Sequence, residues 1–221
     1  MASPAEPSAL RRAAIAAAVL SIAAITAVGM VALVHDRAEP QIEASRRAQL
    51  LAQLTAVLGD VAYDNDPLQD VIQVRDPELL GTDEPLTAHR VRRGGQPVAA
   101  LLNAVAPDGY AGAIHLLIAI DAQGRLLGVR VLDHQETPGL GDFIEERRSD
   151  WIHGFEGRSL GQPPPGRWQV RKDGGDFDQF TGATVTPRAV VRAVRNALTW
   201  FARHRDELFA APAATGTPAT P

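Results

Sequence analysis

The apolar positions in the last third of the chain follow a helical period. They fall on Val190, Val191, Val194, Ala197, Leu198 and Phe201. This spacing predicts an amphipathic helix. The preceding Thr186-Pro187 pair predicts where it starts, with Thr186 as the N-cap and Pro187 as the first helical residue. Thr184 is then expected on a turn of small residues just before the helix N-terminus.

Two apolar runs in the middle of the chain predict a β-hairpin. Residues 113–120 and 126–132 are strand-like, and residues 121–125 (Asp-Ala-Gln-Gly-Arg) form the turn between them. Both runs are apolar at nearly every position, which is typical of a sheet covered on both faces. Shorter strands are expected near Val91 and at residues 98–105.

Predicted helices around residues 41–58, 143–155 and 187–205 would cover this sheet. Pro40 opens the first of these helices and Gly59 ends it. The order of the elements indicates a single α+β domain, in which helices pack on a mainly antiparallel sheet.

The N-terminal region has the pattern of a membrane anchor. Residues 1–12 end in Arg11-Arg12, and residues 13–34 follow as about 22 uncharged positions, long enough for a transmembrane helix. The positive-inside rule then places residues 1–12 in the cytoplasm and the domain at 35–209 outside it. A cleaved signal peptide would have a shorter apolar core, and a buried soluble helix would show a polar face. Residues 210–221 are small and Pro-rich, which predicts a disordered tail.

Composition limits the chemistry that the chain can carry. The 221 residues contain no cysteine, which excludes thiolate-held iron–sulfur clusters, thioether-linked haem and disulfides within the chain. The net charge of −4 does not indicate nucleic-acid binding, and the six histidines are too scattered to predict a metal centre. If the protein handles electrons, an organic cofactor must therefore carry them.

The turn before the last helix suggests an anion site that contains a hydroxyl. Free backbone N–H groups and the helix dipole favour an anion at a helix N-terminus. Gly182 and Ala183 allow another molecule to approach the backbone beside Thr184, and Arg188 and Lys172 are expected to add positive charge. Taken alone, the turn fits an ordinary loop before a capped helix better than a phosphate site.

A second loop, at residues 133–142, follows the hairpin. It contains the run Thr-Pro-Gly-Leu-Gly at 137–141, whose exposed backbone suits a flat ring system. His134 and Glu136 form a possible proton-handling pair for a reduced cofactor, although hydrogen bonds that simply stabilise the loop are the favoured interpretation. A serine hydrolase is not indicated, because the chain has no Gly-x-Ser-x-Gly elbow.

Two motifs carry a family resemblance. Residues 178–184 (Asp-Gln-Phe-Thr-Gly-Ala-Thr) resemble the flavinylation motif of FMN-binding subunits in membrane redox complexes. Residues 134–141 (His-Gln-Glu-Thr-Pro-Gly-Leu-Gly) resemble the signature of the RnfG/RsxG family, the G subunits of Rnf electron transport complexes. The C subunits of sodium-pumping NADH:quinone reductases share both motifs. Shorter matches at 63–66, 106–110, 150–151 and 172–175 favour the RnfG/RsxG family.

The resemblance implies an FMN site. FMN is expected to be bound covalently through a phosphoester to the Thr184 hydroxyl, after a separate flavin transferase that uses FAD has read the motif. The other residues implied in cofactor binding are Asp178, Thr181, Gly182, Ala183, Glu136, Thr137, Gly139, Leu140 and Lys172.

The implied function is that of an electron-transfer subunit without catalysis of its own. It is expected in the inner membrane of a bacterium, single-pass, with the domain in the periplasm. Its partners would be the other membrane subunits of an Rnf-type complex, which couples electron flow between ferredoxin and NAD to ion translocation. The alternatives are the quinone-reductase C subunit, and a non-redox anchored binding module in which Thr184 is never modified.

Overall fold

The computed structural model describes residues 9–211 of the chain, which divide into two compact units between Leu50 and Leu51. The first described element is helix α1, Ala9–Leu58. It runs without interruption through Pro40, so the prediction that a separate helix begins there is wrong. Within the described residues no helix is both long and apolar enough to cross a membrane, and the predicted transmembrane helix at 13–34 is not confirmed.

The second unit is built on a five-stranded antiparallel sheet. Its strands follow one another along the chain, in the order β1-β2-β3-β4-β5. Their bounds are β1 Val71–Val74, β2 Leu86–Arg93, β3 Gln96–Ala106, β4 Ile114–Asp121 and β5 Leu126–Asp133. The predicted hairpin is β4–β5. Its turn forms because the Asp121 side chain accepts hydrogen bonds from the backbone N–H groups of Gln123 and Arg125.

The sheet is covered on both faces, as its continuous apolar strands predicted. Alternate residues of β4 point to opposite faces: Leu116, Ile118 and Ile120 belong to the main core, whereas Leu117 and Ala119 belong to a smaller one. The main core is formed with helix α3, Val185–Ala210. The smaller core is formed with the last turns of α1, through Leu54, Val57 and Leu58. The predicted α+β class is therefore confirmed.

Short elements complete the domain. Helix α2, Pro77–Leu80, was not predicted, although Asp76 caps it, Pro77 begins it and Gly81 ends it with a positive φ of 80°. The helix expected around 143–155 is two short 3₁₀ segments, Asp142–Ile144 and Asp150–Phe155. Two further 3₁₀ segments, Pro165–Arg167 and Arg171–Asp173, precede the last helix.

A buried ion pair holds the end of α3 on the sheet. Arg90 of β2 is 1% exposed and pairs with Asp70 at 2.5 Å. Its guanidinium donates to the carbonyls of Leu208 and Ala211, which are free acceptors at a helix C-terminus. The predicted tail at 210–221 lies almost entirely outside the described residues, and its first residue, Ala210, still belongs to α3.

Candidate functional site

The motif at residues 178–184 folds as a tight turn that leads into helix α3. The Ala183 N–H donates to the Phe180 carbonyl at 3.1 Å, which places Thr181 and Gly182 at the two central positions of a β-turn. Gly182 has φ +85°, a conformation that suits glycine at the third position of a type II turn. The turn brings the chain directly to Thr184.

Thr184 is the N-cap of α3, and its backbone carbonyl accepts the Arg188 N–H at 3.3 Å. Its side chain makes no capping hydrogen bond and is half-buried. The helix thus begins two residues earlier than predicted, and Thr186 is not its N-cap. Thr186 lies in the first turn, fully buried, and its hydroxyl donates to Glu136. The Thr184 hydroxyl at the helix start, like that of the exposed Thr181 in the preceding turn, is therefore open to a ligand.

The second motif folds as a compact turn against the first. The Thr137 carbonyl accepts the N–H groups of Leu140 at 3.1 Å and Gly141 at 3.0 Å. Gly139 has φ +75° and donates its N–H to the Asp142 carboxylate at 2.7 Å. Thr137, Gly139 and Leu140 are all exposed, so their surface is open to a ligand.

The structure brings the two motifs together. A methyl group built on Gly182 would lie 3.9 Å from Leu140 Cδ2, so the two turns are close neighbours. Exposed apolar side chains lie on or next to the two motifs: Leu140 is 46% exposed, Phe143 36% and Val185 42%. The Phe143 and Phe180 rings pack with their centroids 5.6 Å apart. These three exposed side chains, Leu140, Phe143 and Val185, are here called the apolar rim, and Thr184 directly precedes one of them, Val185.

Glu136 does not share the exposure of its loop. Its side chain is 4% exposed, and its carboxylate accepts the Ala111 N–H at 3.0 Å as well as the Thr186 hydroxyl. It therefore joins three segments of the chain: its own loop, the segment at Ala111 and the first turn of α3.

The proton-handling pair of His134 and Glu136 side chains does not form. His134 Nδ1 accepts the backbone N–H of Glu136 at 3.0 Å, and Nε2 lies 2.7 Å from the Glu145 carboxylate. Since Nδ1 is an acceptor, the proton of the neutral ring is on Nε2, which donates to Glu145. The favoured interpretation, that His134 stabilises the loop, is confirmed by these contacts.

Glu145 is the acidic partner of this network. A hydrogen bond from Arg147, reinforced by one from His134, lowers the pKa of Glu145 from 4.5 to about 2, against the opposing effect of burial. Glu145 thus stays negatively charged and keeps accepting from His134 at any ordinary pH. The sequence analysis missed this residue because it is 11 positions from His134 and no local motif joins the two.

The cations expected near Thr184 have different surroundings. Arg188 forms a two-point ion pair with Asp173, at 2.7 and 3.0 Å, and this bond lowers the pKa of the Asp173 carboxyl. Lys172 is exposed, and its backbone N–H donates to the Gln179 side chain of the motif at 3.2 Å. The positive charge of Arg188 is therefore largely neutralised by Asp173, whereas Lys172 is held beside the motif.

Asp178 is anchored through its backbone. The Trp151 indole N–H donates to the Asp178 carbonyl at 2.9 Å, while the exposed Asp178 carboxylate pairs with Arg171 at 2.7 Å. The Trp151 ring packs on Phe180 with centroids 5.3 Å apart. The neighbouring aromatic residues Phe155, Trp168 and Phe177 are all buried and belong to the main core.

Comparisons with known proteins agree with these motifs. The model of the FMN-binding domain family matches residues 109–199, which include both loops and the first half of α3. A protein of Pseudomonas aeruginosa, named as the G subunit of an ion-translocating oxidoreductase complex, is 52% identical over 200 residues, which are 90% of this chain and 94% of the relative.

Relatives of the same name occur in other bacteria. The protein of Shewanella loihica is 45% identical over 89% of this chain and 93% of its own length. That of Vibrio parahaemolyticus is 46% identical over 87% and 91%. At this identity and coverage, the chain belongs to the family of G subunits of ion-translocating oxidoreductase complexes.

Proposed function

We propose that this protein carries FMN on the Thr184 hydroxyl and acts as an electron-transfer subunit of an Rnf-type ion-translocating complex. The observation that carries the proposal is the position of that hydroxyl. It lies at the N-terminus of a 26-residue helix, makes no capping hydrogen bond, and adjoins the apolar rim. The helix N-terminus would thus bind the phosphate of FMN and the apolar rim its ring, on the two sides of Thr184.

The helix start fits a phosphate. The first N–H groups of an α-helix have no partner within the helix, and its dipole favours negative charge there. The first turn of α3 contains no acidic side chain that would repel a phosphate. Lys172 and Arg188 add cations at this end of the helix, although Arg188 shares its charge with Asp173.

The apolar rim fits a flat ring. Leu140, Phe143 and Val185 expose apolar surface beside the acceptor, and such surface favours a ligand that removes it from water. Gly139 and Gly182 have positive φ and no side chain, which leaves the backbone open to close approach. Thr137 and Leu140 are the residues that we assign to the ring, with Thr181 and Ala183 in the turn beside the phosphate.

Attachment would be a phosphoryl transfer at Thr184. A flavin transferase with FAD as donor forms the bond between Thr184 Oγ and the phosphorus of the FMN half. The pyrophosphate bond of FAD breaks, AMP leaves, and the hydroxyl proton is lost to a base of the transferase. Asp178 and Thr181 are the side chains of the motif exposed for recognition by that enzyme.

FMN would supply the electron chemistry, since flavins accept and return electrons and this chain has no cysteine for a thiolate-held cluster. The residues of the chain would bind the phosphate, orient the ring and shield one face from water. The relatives are named as subunits of an oxidoreductase complex, so the proposed partners are the other subunits of such a complex.

Attachment to the membrane, with the domain outside the cytoplasm, is the last part of the proposal. Large apolar side chains of α1 are 60–72% exposed, namely Val19, Leu20, Ile22, Ile25, Val28 and Met30. They would pack against lipid or apolar helices of the complex. The proposed orientation, with the domain outside the cytoplasm, rests only on Arg11-Arg12 in the sequence. The described residues contain no helix that qualifies as a membrane span. Reporter fusions after residue 58 that are active only in the cytoplasm would contradict it.

The central test is the acceptor hydroxyl. The full chain is co-expressed with a flavin transferase, and covalent flavin is read by in-gel fluorescence after denaturation and by intact mass. Thr184→Val should abolish the fluorescent band, because it keeps the shape of the side chain but removes the oxygen. Thr199→Val is the matched control: it lies in the same helix, where its hydroxyl only bonds the Arg195 carbonyl at 2.9 Å.

Each outcome has a definite meaning. A band that persists in Thr184→Val shows that another residue is the acceptor. A wild-type chain that acquires no flavin mass, with an active transferase present, would contradict the carrier function and support the binding-module alternative. Loss of the band in Thr199→Val as well would show that the assay reports folding and not the acceptor.

A further inference from the structure

We propose that Glu136 is a positioning residue, which holds the loop at residues 137–141 and the Thr184 hydroxyl in the relative position that the flavin needs. This inference rests on the proposed function. It differs from the direct ring contact that the family resemblance implies, because a side chain that is 4% exposed presents almost no surface to a ligand.

Three segments of the chain meet on the Glu136 carboxylate: residues 109–111, its own loop and the first turn of α3. Oε1 accepts the Ala111 N–H at 3.0 Å, and Oε2 accepts the Thr186 hydroxyl. Glycines close the remaining sides: a methyl group built on Gly109 would lie 2.8 Å from Oε1, and one on Gly141 would lie 2.8 Å from Oε2. Real side chains almost never approach so closely, so the carboxylate is enclosed and its position is fixed.

The Glu136 carboxylate contacts residues that lie close in the chain to both parts of the proposed site, the apolar rim and the Thr184 hydroxyl. Gly141, which lies against Oε2, directly follows Leu140, and Leu140 lies next to the Gly182 turn. Thr186, which donates to the same oxygen, is two residues after Thr184 in the first turn of α3. One side chain thus determines how far Leu140 of the apolar rim lies from the acceptor hydroxyl.

The free energy of burying Glu136 indicates that this residue positions the two segments and does not mainly stabilise the fold. Both hydrogen-bond donors, a backbone amide and a hydroxyl, are neutral, and burial of a carboxylate among neutral groups costs free energy. An apolar side chain of similar size would fill the space without that cost. It would not join the two segments by directional bonds, which is what a ring bound across both of them requires.

The test compares Glu136→Leu, which removes both bonds, with Glu136→Gln, which keeps an acceptor for Ala111 and a polar group facing Thr186. Asp70→Asn is the control, since Asp70 is a partly buried acid, 17% exposed, that binds Arg90 and Arg92 instead of the site residues. Each full-length chain is prepared with and without a flavin transferase and FAD. Four quantities are measured: the unfolding midpoint, amide hydrogen exchange in the unmodified chain, and the visible circular dichroism and midpoint potential of the attached flavin.

We expect Glu136→Leu to accelerate exchange at the Leu140 and Gly141 amides by roughly tenfold to a hundredfold, as for the loss of a buried hydrogen bond to a charged group. Its attached flavin should show altered circular dichroism and a shifted potential. Glu136→Gln should restore most of both signals. Asp70→Asn should lower the unfolding midpoint and leave the loop exchange and flavin signals as in the wild type.

The outcomes separate this inference from the proposed function. Wild-type loop exchange and flavin signals in Glu136→Leu would overturn the positioning role while the carrier function stands, and so would equal changes in Asp70→Asn. If Glu136→Leu does not fold, Thr186→Val removes one bond and should change the same signals less. A wild-type chain without flavin would refute the proposed function itself, and the positioning role with it.

Discussion

The turn that presents Thr184 depends on the backbone of one glycine, and its substitution gives a sharp test. Gly182 has φ +85°, where an L side chain is strained. A Cβ added there would meet only Leu140 Cδ2, at an ordinary distance of 3.9 Å. The cost of Gly182→Ala should therefore come from the backbone alone, at about 1–2 kcal/mol of unfolding free energy.

The assay is thermal and urea unfolding of the unmodified protein. For a domain of this size, about 1–2 kcal/mol corresponds to a fall of roughly 2–8 °C in Tm. Gly182→Asn should cost less, because asparagine tolerates positive φ at this position of a turn. Gly154→Ala is the matched control: its added Cβ would meet no atom within 4 Å and its φ is not positive, so its Tm should stay unchanged or rise slightly.

The relative unfolding midpoints of these variants test whether the turn at Gly182 is present in solution. If Gly182→Ala unfolds at the wild-type midpoint, the strained turn is not present in solution, and the account of how Thr184 is presented is wrong. If Gly154→Ala is equally destabilised, the effect belongs to glycine substitution in general. Flavin attachment in the same variants should follow the same order, since the acceptor directly follows the turn.

Two further predictions concern stability. Arg90→Met should cost about 3 kcal/mol, the lower end of the range for breaking a buried ion pair, because Asp70 keeps Arg92 as a partner; equal urea midpoints for variant and wild type would contradict this. Glu145 has a folded pKa of about 2, below its ordinary value of 4.5, so its contribution is fully present above pH 4.5 and is lost as the pH falls towards 2. Glu145→Gln should be less stable than the wild type at pH 6, and the difference in Tm should shrink between pH 4.5 and 2. A difference that does not change with pH would show that the pKa of Glu145 is not depressed.

The elements that sequence analysis found have strong local signals. The β4–β5 hairpin was predicted from two long apolar runs separated by turn residues. Helix α3 was predicted from apolar positions that recur with a helical period. The missed elements are short: β1 has four residues and α2 has four, too few for a period to show. At the start of α3, Thr186-Pro187 has the sequence of an N-cap and first helical residue. The Thr186 hydroxyl does not cap the helix, however, because it donates to Glu136, 50 positions away in the sequence.

The sequence by itself determined the α+β class, the order of the main elements, the family and the two motifs, because these depend on local periodicity and on short runs of residues. Only the tertiary structure decided which side chains of the motifs face outward. Glu136 and Leu140 lie four positions apart in one loop, yet one is buried beneath α3 and the other forms part of the apolar rim. The physical reason is that burial and hydrogen bonding depend on partners distant in the sequence, here Thr186 and Ala111, and no local pattern specifies which of them will be close.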